Sequence, residues 1–389
     1  MYRDKNGEYM DRKLEKIVLI GPVYPYKGGI SHYTGLMARA LRQKYEVQVV
    51  SYKMQYPKLL FKKEQRDYSN KTFEDKDALF LINTANPFSI IGAANKIKKM
   101  KPDLVLINWW HPYFAPCYQI LINHLGRDIK KAFICHNVFP HERFPMDKLL
   151  TRMTLRKADF AVVHSDEDRK DFETILKDIP VKKNLHPTYN AFKIKNLSRE
   201  EARKLLGIGE DEKVLLFFGL VRKYKGLIHL LKAMPRIIEK VPDVKLYIVG
   251  DFGDSKEEYL KETAKLGIDD RLVIRDGYVP DEEVEPYFAA SDLNVCPYES
   301  ATQSGILQIA FGFELPAVVT NVGGLPEVVT DNETGFVVEP FNSDALADKI
   351  IEYFNNNLEE TMRENVRKDS VRFSWDRIVM TIGELWDEC

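Results

Sequence analysis

The sequence predicts an α/β architecture of two doubly wound, Rossmann-like lobes facing a cleft. Three observations carry that expectation. Short β-rich apolar runs alternate with helical patterns, the runs are apolar on both faces, and the alternation breaks once, near the middle. The first half holds KIVLIG (16–21), VQVVSY (47–52), LFLIN (79–83), DLVLINWW (103–110), KAFICHN (131–137) and FAVVHS (160–165). The second holds VLLFFG (214–219), KLYIVG (245–250), LVIRDGY (272–278), LNVCPY (293–298), PAVVTNV (316–322) and FVVEP (336–340). Runs without polar alternation mark buried parallel strands covered by helices on both faces. Two such series make two lobes.

The break is KNLHPTYNAFKIKNLSRE (183–200). Directly after it, SREEARKLLG opens a helix on a serine cap and closes it at Gly207. The expected lobes are therefore 1–185 and 186–372. A final segment, 373–389, contains SWDRIVMTIGELWDE (374–388), which reads as one amphipathic helix. A length of 389 residues suits two domains of ~100–200 residues each. Cys117, Cys135, Cys296 and Cys389 lie far apart without a CxxC pair, against a zinc site or a disulfide framework. The start lacks the apolar core of a signal peptide, and no apolar run reaches the ~18 residues of a membrane span. The reducing cytoplasm is the expected compartment.

The net charge of −1 conceals an asymmetry. Residues 1–185 carry 33 Lys+Arg against 21 Asp+Glu, and the remainder carries 24 against 37. A basic lobe joined to an acidic one points to an anionic partner for the first: a membrane surface, a lipid phosphate or an acidic glycan. The basic clusters are Lys62-Lys63, then Lys96, Lys98, Lys99 and Lys101, then Arg127, Lys130 and Lys131. Nucleic acid is not expected, because no recognised binding motif accompanies the charge.

In open α/β sheets ligands gather at the C-terminal ends of the strands, so the loops there carry the candidate site. After the first strand, Gly28 and Gly29 permit a tight turn ahead of a helix beginning near Ser31, whose amide groups suit an anion. After VLLFFG, Arg222 and Lys225 supply two cations that suit a diphosphate leaving group. After LNVCPY, small polar residues Ser300, Thr302, Gln303 and Ser304 precede Gly305 and Ile306 at a helix start of the anion-receiving kind. A further strand-end loop holds Gly323, Gly324 and Glu327. In the first half, His136 ends a strand, with His141 and Glu142 just beyond. Trp109, Trp110, His111 and Tyr113 either line a sugar or acceptor groove or belong to the core. Asp75-Lys76-Asp77 is a D-x-D that lies in a charged run, which reads as surface.

In order and spacing these pieces resemble the retaining family-4 (group 1) glycosyltransferases of the GT-B fold, from about Lys16 to the final helix. The most telling stretch is DGYVPDEEVEPYFAASDLNVCPYESATQSGILQIAFGFELPAVVTNVGGLPEVVTDNETGFVVEP. The resemblance implies that Gly28 and Gly29 lie near the donor phosphates and the acceptor, and that Lys225–Gly226 is the family's KG pair. The usual arginine position holds Leu220, leaving Arg222 as a shifted candidate. His136 matches the histidine beside the transferred sugar, and Tyr278 and Val279 the segment that meets the nucleobase. The family's two glutamates, eight positions apart, fall on Ala301 and Ile309, both apolar. Glu299 and Gln308 are their polar neighbours, and Gln308 suits a ribose hydroxyl. The pattern is a SATQSG-type variant of the site.

The implied activity is transfer of a sugar from a UDP- or GDP-sugar to a glycan or lipid-linked acceptor, with retention and without a metal or other cofactor. The departing diphosphate itself accepts the acceptor's proton. Two alternatives stand beside this reading: an inverting GT-B transferase with His32 as base, and an inactive nucleotide-sugar-binding protein that has lost both glutamates. A nicotinamide oxidoreductase is disfavoured, since no G-x-G-x-x-G follows any strand.

Overall fold

The structure, a computed structural model, describes residues 2–3, 9–10 and 13–389 apart from 62–63, 69–70, 72 and 141–142. Lys62, Lys63, His141 and Glu142 lie outside the described residues. The chain forms two compact units, residues 1–184 with 375–389, and residues 185–374.

The first unit is a seven-stranded sheet in which every pairing is parallel. Its strands are β1 (Lys16–Ile20), β2 (Glu46–Met54), β3 (Leu79–Asn83), β4 (Leu104–Trp109), β5 (Lys130–Cys135), β6 (Phe160–Val163) and β7 (Val181–Lys183), in the order β3-β2-β1-β4-β5-β6-β7. Helices α1 (Gly29–Leu41), α2 (Pro87–Lys99), α3 (Ala115–Leu125), α4 (Asp147–Leu155) and α5 (Asp166–Ile175) connect them. All six apolar runs of the first half are strands. The seventh, β7, escaped the sequence reading because it is three residues long and only half buried, so it needs no apolar run.

The second unit is a six-stranded parallel sheet. It contains β8 (Lys213–Phe218), β9 (Val244–Gly250), β10 (Leu272–Asp276), β11 (Leu293–Cys296), β12 (Ala317–Thr320) and β13 (Gly335–Val338), ordered β10-β9-β8-β11-β12-β13. Helix α6 (Arg199–Leu206) starts on a full capping box, Ser198 with Glu201, and ends at left-handed Gly207; this satisfies two amide donors at once. The helices α7 (Leu227–Lys240), α8 (Lys256–Leu266), α9 (Asp281–Ala290), α10 (Gly305–Gly312), α11 (Leu325–Val328), α12 (Ser343–Asn355) and α13 (Glu359–Asp369) follow. Asp292, fully buried ahead of β11, accepts from the Val214 amide at 2.6 Å and pairs with Arg199 and Arg203. A buried carboxylate with that many donors is compensated rather than stranded.

Helix α14 (Trp375–Glu388) returns to the first unit. It buries Ile378, Val379, Ile382, Leu385 and Trp386, while Lys182 bonds Glu384 and Glu388 and the Lys130 ammonium lies 4.4 Å from the Trp386 ring centroid. Each apolar side chain so buried contributes about 1.5–3 kcal/mol before ordering is deducted.

Candidate active site

In the second unit, the site grows from the end of β8. Gly219 has φ +101, and a Cβ there would lie 3.1 Å from the Lys225 amine and 3.2 Å from Ile306. Only glycine leaves the strand end open to both. A short turn carries Lys225 back towards this point, and Gly226 closes it with φ +64. A Cβ on Gly226 would overlap the Pro297 carbonyl oxygen, so this turn and the loop after β11 meet backbone to backbone. Lys225 is buried, with its amine 5.3 Å from the Tyr298 ring centroid. Burial pushes its ammonium down to about 8, and the nearby Arg222 guanidinium pushes the same way. The two cations are thus close enough to repel, a cost that an anion between them would reverse. Arg222 donates to its own neighbour Val221 O at 3.0 Å, and its guanidinium adjoins Gly253.

Helix α10 completes the arrangement. Ser304 is its N-cap and accepts from the Leu307 amide at 3.3 Å; the Tyr298 hydroxyl stands 3.2 Å from Ser304 Oγ. Ile306, on the first turn, reaches Gly219. Thr302 offers its carbonyl to the Gly324 amide at 2.9 Å, which ties this loop to the NVGG loop after β12. Gln303 is half-buried beside it. Glu299 accepts from or pairs with His229 Nε2 at 2.9 Å. Tyr278 is exposed and Val279 buried in the loop after β10.

Ala301 and Ile309 are both buried, and Ala301 belongs to the apolar cluster with Tyr298 and Leu307. The places where the family pattern sets carboxylates have become core. Gln308 is buried, and neither polar atom of its amide has a hydrogen-bond partner among the described residues. Its backbone carbonyl accepts from the Tyr189 amide at 3.2 Å. A buried, unmatched amide is costly unless something else bonds it.

In the first unit, Gly28 is left-handed at φ +101 and Gly29 begins α1; a Cβ on either would meet nothing within 4 Å. The helix thus starts two residues earlier than the expected Ser31. His32 is half-buried, its ring 4.7 Å from that of Phe73. His136 is buried and donates from Nε2 to Asn108 Oδ1 at 2.8 Å. The Asn108 amide nitrogen in turn donates to Ile20 O and Thr34 Oγ1. Gly21 makes room for it, since a Cβ there would come within 2.6 Å of that nitrogen. The Tyr33 ring sits 4.5 Å from His136, 5.4 Å from His164 and 5.1 Å from Trp375. Burial pushes His164 down to about 4, so it is neutral near pH 7.

Of the NWWHPYF aromatics Trp109 is buried in the core, whereas Trp110, His111 and Tyr113 are half-buried. Trp109 donates to Val138 O, Trp110 donates to Tyr56 Oη at 3.0 Å, the Tyr113 and Thr84 hydroxyls stand 2.9 Å apart, and His111 caps the Tyr113 amide. Asp75 of the D-x-D is bound to Arg42 at 2.9 Å. Among the described residues no three His, Cys, Asp or Glu side chains gather as a metal site, and no helix is long and apolar enough to cross a membrane. Sequence reasoning missed Tyr298, His229, Asn108 and Tyr33. Of these only His229 had a legible signal, three residues beyond Lys225–Gly226.

Residues 198–369 match the family model described as glycosyl transferases group 1, and residues 27–187 match that of Glycosyltransferase Family 4. An uncharacterized glycosyltransferase of Methanocaldococcus jannaschii is 33% identical over 193 residues, 47% of this chain and 47% of that protein. A D-inositol 3-phosphate glycosyltransferase of Corynebacterium diphtheriae is 30% identical over 182 residues, 45% of this chain and 42% of that protein. The chain spans about half the length of the curated relatives it matches. Among solved structures, sucrose-phosphate synthase from Thermosynechococcus elongatus has a TM-score of 0.74 at 18% identity, covering 96% of this chain and 98% of that one. Anabaena HepE in complex with UDP has a TM-score of 0.74 at 17% identity, covering 96% and 100%. The chain therefore has the GT-B fold, with a first half that matches the model of Glycosyltransferase Family 4 and a second half that matches that of the glycosyl transferases group 1.

Proposed function

We propose that the protein transfers a sugar, with retention of anomeric configuration, from a UDP- or GDP-sugar to a glycan or lipid-linked acceptor. The observation that carries this reading is the buried Lys225 ammonium, set with Arg222 at the end of β8 beside the Ser304-capped start of α10. Two cations and a helix N-terminus together suit a departing diphosphate. That HepE, a protein of the same fold, holds UDP and UDP-glucose supports the donor class.

In the proposed step the bond from the anomeric carbon to the diphosphate oxygen breaks. The acceptor oxygen bonds the same face, and its proton passes to the departing phosphate oxygen. Arg222, Lys225 and the amides at Ser304, Gly305 and Ile306 stabilise the charge that develops. Gln308 would bond a ribose hydroxyl as a neutral substitute for the lost carboxylate, offering both donor and acceptor. Tyr278 and Val279 would meet the base, and Thr302, Gln303 and Glu299 would border the donor. Gly28, Gly29 and His136 would serve the acceptor and sugar side. A thermal-shift series with UDP, GDP and their sugars tests the reading: the true donor nucleotide raises the melting temperature, and no shift with any of them sinks it.

Since the cations already supply the counter-charge, activity is expected to persist in EDTA. Loss that magnesium or manganese restores would overturn that. The stereochemical outcome separates the reading from the inverting alternative. With retention, His32→Ala loses only part of the activity and the product anomer matches the donor's. Abolished transfer together with an inverted product, seen as the anomeric NMR coupling constant, would make His32 the base.

A further inference from the structure

The chain between β2 and β3 makes an excursion that opens and closes on itself. Its base is clamped by the Gln65 side chain, which accepts from the Tyr56 amide at 3.2 Å and donates to the Tyr56 carbonyl at 2.9 Å. Above the clamp the chain turns at Pro57, whose carbonyl accepts from Leu60 and Phe61. The turn does not bury its apolar side chains. Leu59 is 87% exposed and Leu60 63%, with Phe61 also exposed. The loop leaving the neighbouring strand β3 is bonded to the same stretch, Thr84 to Met54 O and Gln55 O, and leads within four residues to Phe88, 84% exposed. Single exposed leucines are ordinary. Leu59, Leu60 and Phe61 in this turn, with Phe88 on the first turn of α2, have a cost in water that an apolar medium would remove.

Two features say which medium. Lys58 stands in the turn, and Lys62 and Lys63 follow it in the sequence of a lobe with a surplus of twelve positive charges over residues 1–185. Cations in an apolar turn and next to it in sequence suit the anionic face of a bilayer. The other basic clusters do not share this end. Lys96, Lys98 and Lys99 lie on the last turn of α2, Lys101 beyond it, and Arg127, Lys130 and Lys131 at the start of β5, towards the opposite ends of the strands. Lys130 already rests on Trp386, and Lys131 is buried near Asp159 and Asp128. The excursion is also wired to the glycine loop after β1: Gln65 O accepts from Lys27, Pro25 O from Asp67, and Arg66 donates to Tyr26 Oη at 3.0 Å.

We propose that the Pro57–Phe61 turn, with Phe88, inserts into the headgroup region of an anionic membrane and so sets the Gly28–Gly29 loop beside a lipid-linked acceptor. The acceptor half of this statement rests on the proposed transferase reading; the insertion does not. The purified full chain is to be sedimented with vesicles of phosphatidylglycerol and phosphatidylcholine, and with phosphatidylcholine alone. The wild type binds the anionic vesicles at low salt, and the double variant Leu59→Asp with Leu60→Asp binds at least roughly tenfold more weakly. Leu205→Asp, on an exposed leucine of the second unit, binds as the wild type does. In a parallel pair, the emission of Leu60→Trp shifts to the blue on anionic vesicles and that of Leu205→Trp does not. Equal binding by the wild type and the double variant, or an unshifted Leu60→Trp, overturns the insertion. The melting-temperature rise with UDP or GDP is read on the same samples. Its presence in the double variant shows a folded donor site, and its absence from every sample counts against the donor reading alone.

Discussion

Replacing Lys225 by alanine is expected to cut donor use by roughly tenfold to a hundredfold, the equivalent of ~1.5–3 kcal/mol for a charge-assisted hydrogen bond. Arg222→Ala should fall in the same range. Lys225 carries the larger share because its ammonium is buried between the Tyr298 ring and Gly219, where few waters screen it. Its pH dependence is distinctive. With the proton held only to about 8 in the folded protein, donor affinity should fall as pH rises past that value. Donor-free stability should move the other way. Between about 8 and the ordinary 10.5 the unfolded chain holds a proton that the folded chain has lost, so this group's contribution to stability rises with pH across that window. Lys225→Ala removes both dependences. Unchanged affinity for nucleoside diphosphate in both variants would exclude these cations from the donor site.

The second large effect is expected of Gly226→Ala. The left-handed φ of +64 alone costs an alanine about 1 kcal/mol. The added methyl group would in addition overlap the Pro297 carbonyl oxygen, forcing the KG turn away from the loop after β11. A total of roughly 2–4 kcal/mol, or a fall of about 5–10 °C in melting temperature, is expected. Gly207→Ala is the matched control. Its φ is +67, but nothing lies within 4 Å of the new Cβ, so it should show the backbone cost alone. Equal losses in the two variants would mean that the contact with Pro297 is unimportant.

What the sequence determined by itself is set by local chemistry. Every apolar run became a parallel strand because strands buried on both faces must be apolar throughout. Ser198 and Gly207 announced α6 because capping needs particular residues at the two ends of a helix. The amphipathic period of 374–388 announced α14. Short β7 carried no such pattern. The candidate residues were legible one loop at a time, as cations, glycines and small polar residues after strands. Their company was not. That Lys225 lies against Tyr298, that Glu299 is held by His229, and that Asn108 orients His136 are contacts between segments distant in the chain. The fate of Trp109–Tyr113 was likewise open, because an aromatic at a strand end looks the same whether it packs inward or outward. Exposure decided the last case too. Leu59, Leu60 and Phe88 are ordinary apolar residues in the sequence, and only the fold, with the leucines in the Pro57 turn and Phe88 on the first turn of α2, leaves them facing water. Periodicity is a property of neighbours along the chain, whereas burial and partnership depend on which distant segments the fold brings together.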